Sequence, residues 1–322
     1  MWVLSRFLVR FAPRVVAGFV AAVAPAASHL AEDAAFPRAE DAVPELRVMT
    51  YNIRGDFDGG QATDNPGSWL AVEGRSRRDL VIEVIRGADP DILGVQEAYR
   101  NQMDDLRRAL PGHDSYGVGR DDGVDAGEFS GIFFRSGRFT AEQRGTFWLS
   151  REPEDPGSKF PGAATVRIAS WVVLRDAVAG HLVFTLNTHW DHVSQAAREA
   201  GATLIRRKLD RLPPTQAILV MGDLNADEDN PAFNRLVAAG AAPGSRSLID
   251  SYRSAHPQRA FREATANGFV GQDFGTRIDH ILHSDDVETL DSQIDRTDFN
   301  GRLPSDHFPV TSRLRLTAAA PD

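Results

Sequence analysis

Apolar residues in this chain fall in short runs that switch between the two-residue period of a strand and the 3.6-residue period of a helix. Leu46 to Ile53 is apolar and rich in β-formers, which predicts a buried strand. Ser76 then reads as an N-cap. The helix it opens places Leu80, Val81, Val84 and Ile85 on one face and ends near Gly87 and Pro90. Asp91 to Gln96 predicts a second strand carrying Glu97 at its end, and Asn101 to Leu110 predicts a helix stopped by Pro111 and Gly112. Ser130 to Arg135, Phe139 to Leu149, Arg167 to Asp176 and His181 to His189 mix aromatic and β-branched residues between turn signals. Two adjacent antiparallel ribbons account for these four most simply. Ser194 to Leu212 predicts the longest helix, with Ala197, Gly201, Leu204, Ile205 and Leu209 on one side. Ala217 to Met221 is a strand feeding Gly222-Asp223-Leu224-Asn225, Pro231 opens another helix, and Thr276 to Leu282 and His307 to Leu316 are the last strands. Such alternation predicts an α/β layered architecture.

The first 31 residues depart from this pattern. Arg6, Arg10 and Arg14 precede an uncharged Ala/Val-rich run from Val15 to Ala27 that ends in small residues, the plan of a signal peptide. An uncleaved anchor is the alternative, although Pro25 interrupts the run and its length is marginal for a bilayer core of ~30 Å. The expected organisation is a leader over residues 1–31, a mobile arm over 32–45, one domain over 46–316 and a tail over 317–322. The Pro/Gly-rich patches at residues 59–67 and 151–162 are short, so they read as surface loops of that domain. A secreted or periplasmic location follows from the leader. The absence of cysteine means that export would bring no disulfides, and the core alone must hold the fold. The net charge of −9 would become about −12 without the leader's arginines, the opposite of what proteins that grip duplex DNA usually carry.

Acids, amides and histidines recur where the apolar strands run out, the places where a sheet presents side chains to a cleft. Asn52, Glu97, His189, Asp223 and Asn225 end strands, Asp279 and His280 interrupt one, and Asp306-His307 opens one. Each alone reads as a turn former or a surface residue. Together they supply what phosphate-ester cleavage needs. Glu97 with the neutral oxygen of Asn52 offers hard oxygen ligands suited to Mg²⁺ or Mn²⁺. Asp223 and Asn225, spaced i and i+2, project to one side of an extended turn. Histidine adds a group able to donate to phosphate or to exchange protons near neutral pH.

The motifs Thr50-Tyr51-Asn52-Ile53-Arg54, Val95-Gln96-Glu97, Asn187-Thr188-His189, Met221-Gly222-Asp223-Leu224-Asn225, Arg277-Ile278-Asp279-His280-Ile281 and Ser305-Asp306-His307-Phe308-Pro309 occur in this order. Jointly they resemble the endonuclease/exonuclease/phosphatase superfamily, over about Leu46 to Leu316. Gly119 to Gly123, Gly127 to Ser130, Thr146 to Ser150 and Asn187 to His192 resemble its exported bacterial members. The resemblance implies a four-layered α/β sandwich, two facing mixed β-sheets flanked by helices. It implies a metal on Glu97, with Asn52 and Asp306 as further ligands, and phosphate contacts from His189 and Asn225. By the same likeness Asp223 orients or deprotonates water, His307 acts with Asp279, Glu128 supports His189, and Arg167 lies near the scissile phosphate. Two departures stand out. His280 replaces a common aromatic residue, and Thr265-Ala266-Asn267 replaces a common Thr-Phe-His.

The reading favoured by charge is a metal-dependent phosphodiesterase or phosphatase acting on a small or lipid-linked ester, with no protein partner. A secreted nuclease is the alternative and would need a basic surface, for which Arg75, Arg77 and Arg78 are the sequence candidates. A non-catalytic binding protein is a third reading, opposed by the competent residue at every expected catalytic position. Trp148, Trp171 and Trp190 suggest a sugar or lipid platform as one reading, but aromatic residues in strands are more often core, and Trp190 alone stands at the expected cleft rim.

Overall fold

A computed structural model describes residues 45–317 except 64 and 66; the leader, nearly all of the arm and the tail fall outside the described residues. In chain order the strands are β1 (Glu45–Asn52), β2 (Ala62–Thr63), β3 (Leu70–Ala71), β4 (Ile92–Ala98), β5 (His113–Tyr116), β6 (Phe129–Arg135) and β7 (Phe139–Trp148). They continue as β8 (Ile168–Asp176), β9 (Leu182–His189), β10 (Gln216–Asp223), β11 (Ile249–Asp250), β12 (Asp279–His283), β13 (Val287–Ile294) and β14 (Val310–Leu316). The helices are α1 (Arg77–Ala88), α2 (Arg100–Ala109), α3 (Gln195–Leu209), α4 (Pro231–Val237) and α5 (Ser251–Ala255).

Two six-stranded mixed sheets result, one in the order β13-β14-β1-β4-β6-β5 and the other β11-β12-β10-β9-β8-β7, beside the small β2-β3 pair. Strand alternation distributes each strand's apolar residues to two layers. On β10, Ala217, Leu219 and Met221 enter the core between the sheets with Val48, Ile92, Leu174 and Ile281. Ile218 and Val220 of the same strand face outward and pack against Ala202, Ile205 and Leu209 of α3 and Phe233 and Leu236 of α4. The first sheet repeats the plan, burying Met49, Tyr51 and Leu93 against Val81, Val84 and Ile85 of α1 and Met103 and Leu106 of α2. The order of layers is helix, sheet, sheet, helix, the α/β sandwich expected.

Helix starts follow the caps read from sequence. Ser76 and Asp79 form a reciprocal capping box on α1, Ser194 caps α3 through Ala197 N–H, and Asn230 caps α4 with Pro231 at its first position. Strand pairing in the middle differs from the two expected ribbons. β6 pairs with β4 and β5 in the first sheet, while β7, β8 and β9 form a meander in the second. β6 is buried on both faces, with Ile132 and Phe134 in the inter-sheet core and Phe129 and Phe133 in the outer helical layer, and its two edges are taken by β4 and β5, which leaves β7 to pair with β8. The chain then crosses between sheets at Arg138, whose guanidinium meets Asp176 at 2.8 Å and Asp91 at 3.1 Å. Two expected strands, β12 and β14, also begin later, at Asp279 and Val310, because the preceding residues bond to the loop around Thr265, and β13 between them was not expected. Thr265 Oγ1 accepts from Ile278 and Asp279 N–H, and Phe308 N–H donates to Thr265 O.

Candidate active site

Strand register builds the site. β9 and β10 run parallel with His189 beside Asp223, and β10 and β12 run antiparallel with Asp223 beside Asp279. Three functional side chains therefore stand in one row at the end of the second sheet. On the facing sheet β1 and β4 are parallel, and Asn52 lies beside Gln96. Asn52 Nδ2 bridges the sheets, donating at 3.0 Å to Asp223 Oδ2 and at 3.0 Å to Glu97 Oε1. Gln96 ties the same seam deeper down, donating to Asn187 Oδ1 at 2.6 Å and Thr50 Oγ1 at 3.0 Å. Ser305 Oγ donates to Asn52 O at 2.6 Å and so brings Asp306 and His307 over the row.

The backbone is bent to aim these groups. Gly222 has φ +148°, and a Cβ there would lie 2.0 Å from Thr188 O, so the motif residue before Asp223 has to be glycine. Glu97 and Asn225 adopt φ +64° and +45°, conformations that non-glycine residues hold only under surrounding constraint.

His307 Nδ1 lies 2.8 Å from Asp279 Oδ2, and its Nε2 lies 3.8 Å from Asp223 Oδ2. Burial opposes a charged imidazole, but the Asp279 and Asp223 carboxylates outweigh it and hold His307 protonated well above its ordinary range. Asp223 is pushed upward by burial and by the charge of Asp279. His189 is driven the other way, by burial and by the charges of Arg167 and His307, and is neutral. Its Nε2 sits 3.0 Å from Asn225 Nδ2, which also donates to Trp190 O at 3.0 Å. The amide thus presents its N–H groups to the protein and fixes His189 as an acceptor at Nε2.

Asn52, Glu97, Glu128, Arg167, His189, Asp223, Asn225, Asp279, Asp306 and His307, the ten residues read from sequence, gather here. All but Asn52 and Asp279 line a cleft of about 340 Å³, and those two stand directly behind it. Two expectations differ in detail, one pairing and one placement. Glu128 lies 4.0 Å from His189 Nδ1, too far for a hydrogen bond, because Arg120 takes its carboxylate and Arg167 approaches at 3.7 Å. Trp190 is fully buried under α3 and α4 and is not at the rim. His280 is structural: it packs on the Phe233 ring and lies 3.0 Å from both Asp250 Oδ2 and Ala226 O.

Arg54, Phe57, Arg120, Thr165 and His192 also line the cleft and had been given no role by the sequence. Arg54, Arg120 and His192 lie inside the quoted motifs, so a signal was present; Phe57, on a loop without a motif, had none. Arg77 moves in the opposite direction. It is buried and donates to the carbonyls of Ile53, Arg54, Gly67 and Pro304, clasping the loop after β1 to the segment before Asp306. Arg75 pairs with Glu83 and Arg78 with Asp79, which leaves no free basic stripe there.

The donor set suits a hard cation. Arg54 Nη1 lies 3.3 Å from Asp306 and 3.7 Å from Glu97, so the two carboxylates converge on one position already favourable to positive charge. Burial opposes ionisation of Glu97, but hydrogen bonds from Asn52 and Gly55 N–H hold it below the ordinary range and keep it charged. Ligand atoms of Asp223, Asp279 and His307 also lie within 4.8 Å of one another, a cluster tied by the 2.8 Å contact between His307 Nδ1 and Asp279 Oδ2.

Comparison with known proteins agrees with this geometry. Residues 49–307 match the model of the Endonuclease/Exonuclease/phosphatase family. An endonuclease/exonuclease/phosphatase from Bacteroides vulgatus is 31% identical, with 85% of this chain and 99% of that one covered and a TM-score of 0.74. A mannosyl-6-phosphatase from Bacteroides thetaiotaomicron is 33% identical over 84% of this chain and 99% of its own, with a TM-score of 0.71. The structure of D. rerio TDP2 with a single-strand DNA product shares the fold at 14% identity and a TM-score of 0.63. Among curated proteins, an uncharacterized protein of Acanthamoeba polyphaga mimivirus is 23% identical over 217 residues, a match spanning 31% of its length. With its family match, its paired sheets and its row of strand-end residues, the chain belongs to the endonuclease/exonuclease/phosphatase family.

Proposed function

We propose that this protein is a divalent-metal-dependent hydrolase of small phosphate monoesters, of which sugar phosphates are the leading class. The observation that carries the reading is a set of orphaned donors around the cleft. Arg120 Nε, Arg167 Nε and Nη1 and His189 Nδ1 are buried with no hydrogen-bond partner among the described residues. Buried donors of this kind call for an anion. With Arg54 they place three guanidinium groups beside the Glu97, Glu128 and Asp306 carboxylates in a cleft of about 340 Å³, so with a cation on the acids the site suits a compact dianion better than a long polymer. The likeness to the mannosyl-6-phosphatase supports a sugar as the esterified alcohol.

In this reading Asp223 takes the proton of the attacking water, for which its burial-raised basicity suits it. His307, held as imidazolium by Asp279, donates to the phosphoryl group and the departing ester oxygen. Asn52 fixes Asp223 and Glu97, while Arg120 and Arg167 grip the phosphoryl oxygens. Mg²⁺ or Mn²⁺ held by Glu97 and Asp306, with Asn52 as the further ligand proposed, would neutralise charge on the phosphoryl oxygens and leaving group. The leader read from sequence would carry this activity outside the cytoplasm.

The nuclease reading loses its basic surface, because Arg77 is a buried clasp and its neighbours are paired. A hydrolysis panel of hexose 6-phosphates, bis-p-nitrophenyl phosphate and duplex DNA, each with Mg²⁺ or chelator, tests the proposal. Turnover of a hexose phosphate with metal and none of DNA is expected; the converse would reverse the assignment.

A further inference from the structure

A second cavity, of about 450 Å³, opens on the outer side of the second sheet and shares no residue with the catalytic cleft. Its walls combine Trp171 of β8, Gly145 of β7 and the last turn of α3 with the residues that follow it. Leu204, Arg207 and Lys208 fall at i, i+3 and i+4 of α3, so helical geometry turns them toward the opening, and Arg211 joins them from the turn after the helix, where its N–H donates to Lys208 O at 3.2 Å. Three cations thus converge on one hollow, and none of them forms an ion pair among the described residues. Arg206 beside them, by contrast, is matched to Asp210 at 2.9 Å. Glu154 is the one acid on the cavity wall.

The floor is cut to display a ring. Gly145 pairs directly with Trp171 across the strands, and a Cβ at Gly145 would lie 2.8 Å from the indole Cζ2. A larger residue there would displace the indole from its place across β7. Phe184 stacks against the ring at 5.7 Å and 21°, holding it in place. Lys208 Nζ rests 3.9 Å from the ring centroid, a contact that its flexible stem can exchange for a ligand.

We propose that this cavity is a binding site, separate from the catalytic cleft, for a small organic anion bearing a ring. The anionic group meets Arg207, Lys208 and Arg211, and the ring packs on Trp171. Two sources share this chemistry, an acidic sugar and a planar aromatic acid. The size of the cavity and the confinement of the basic residues to the end of α3 and the turn after it argue against an extended polyanion, whose binding depends on neutralising many phosphates.

Calorimetric titration of the purified protein tests the site with three probes that contain no phosphate ester: glucose 6-sulfate, indole-3-acetate and inorganic sulfate. At least one ring-bearing probe is expected to bind, tenfold or more tighter than sulfate, and to change tryptophan fluorescence. Glucose 6-sulfate as the tighter ligand identifies the sugar source, and indole-3-acetate the aromatic one. The doubly substituted R207Q/R211Q protein should lose this binding at least tenfold while retaining wild-type hydrolysis, and W171F should lose part of the fluorescence change. Equal binding of sulfate alone would overturn the role of the ring. Undiminished binding in R207Q/R211Q, or no binding of any probe, would overturn the site.

Discussion

Arg77→Met keeps the apolar stem of a buried side chain and removes the guanidinium that holds the two loops of the catalytic cleft together. In the native protein that group donates to Gly67 O at 3.0 Å, Arg54 O at 2.8 Å, Pro304 O at 3.2 Å and Ile53 O. The Ile53 and Pro304 carbonyls lie in buried surroundings, and each loses its partner at about 1–3 kcal/mol. Offsetting this, the guanidinium no longer has to be desolvated, a penalty visible in burial pulling its pKa down to about 10. The net loss is then about 2–4 kcal/mol. With a urea slope of about 2–3 kcal/mol/M for a protein of this size, the unfolding midpoint should fall by roughly 1 M. Because the same carbonyls lie next to Asn52 and Asp306, turnover should fall as well, and more metal should be needed to reach half-maximal rate. A midpoint within 0.2 M of the wild type together with unchanged metal dependence would refute the clasp, a threshold on the order of the scatter in such extrapolations.

Asp279→Asn removes the charge that orients His307 and holds it protonated, so kcat should drop by about 10³–10⁴ with KM little changed; steady-state kinetics on the substrate found in the panel checks this. Glu97→Gln keeps the shape of the side chain but removes a hard anionic ligand. The Mg²⁺ or Mn²⁺ concentration for half-maximal rate should rise by tenfold or more, read from a metal titration. Asp250 is opposed by burial, yet the charge of Arg277 and the His280 hydrogen bond hold its carboxyl well below the ordinary range. Its contribution to stability is present above the unfolded-state value of about 3.9 and is lost as pH falls below it. Asp250→Asn should lower stability at pH 7 by about 1–3 kcal/mol, since Arg277 loses this partner but keeps Glu228 at 2.5 Å, and should flatten the fall in urea midpoint below about pH 5.

The row of His189, Asp223 and Asp279 was legible because each ends or interrupts an apolar strand, and strand periodicity fixes where such a side chain emerges. Their adjacency was not legible from local pattern. It depends on register between strands far apart in sequence, and only the family likeness supplied it. β6 was misgrouped because periodicity reports burial on a strand's faces but is silent about which sheet holds its edges. Arg77 was misread for a related reason. A charged residue at a helix start looks solvated until the carbonyls that bury it are brought in from Ile53 and Pro304. Glu128 sat near His189 as expected, yet Arg120 competes for its carboxylate, a contact that no spacing rule encodes.

The most direct test of the central claim is hydrolysis of mannose 6-phosphate or glucose 6-phosphate by the purified protein with Mg²⁺ or Mn²⁺, with chelator, and with the Asp223→Ala variant. Phosphate release that requires metal and disappears in Asp223→Ala, a variant whose circular dichroism stays native, is the predicted result. Release that persists in chelator, or in Asp223→Ala, would contradict it.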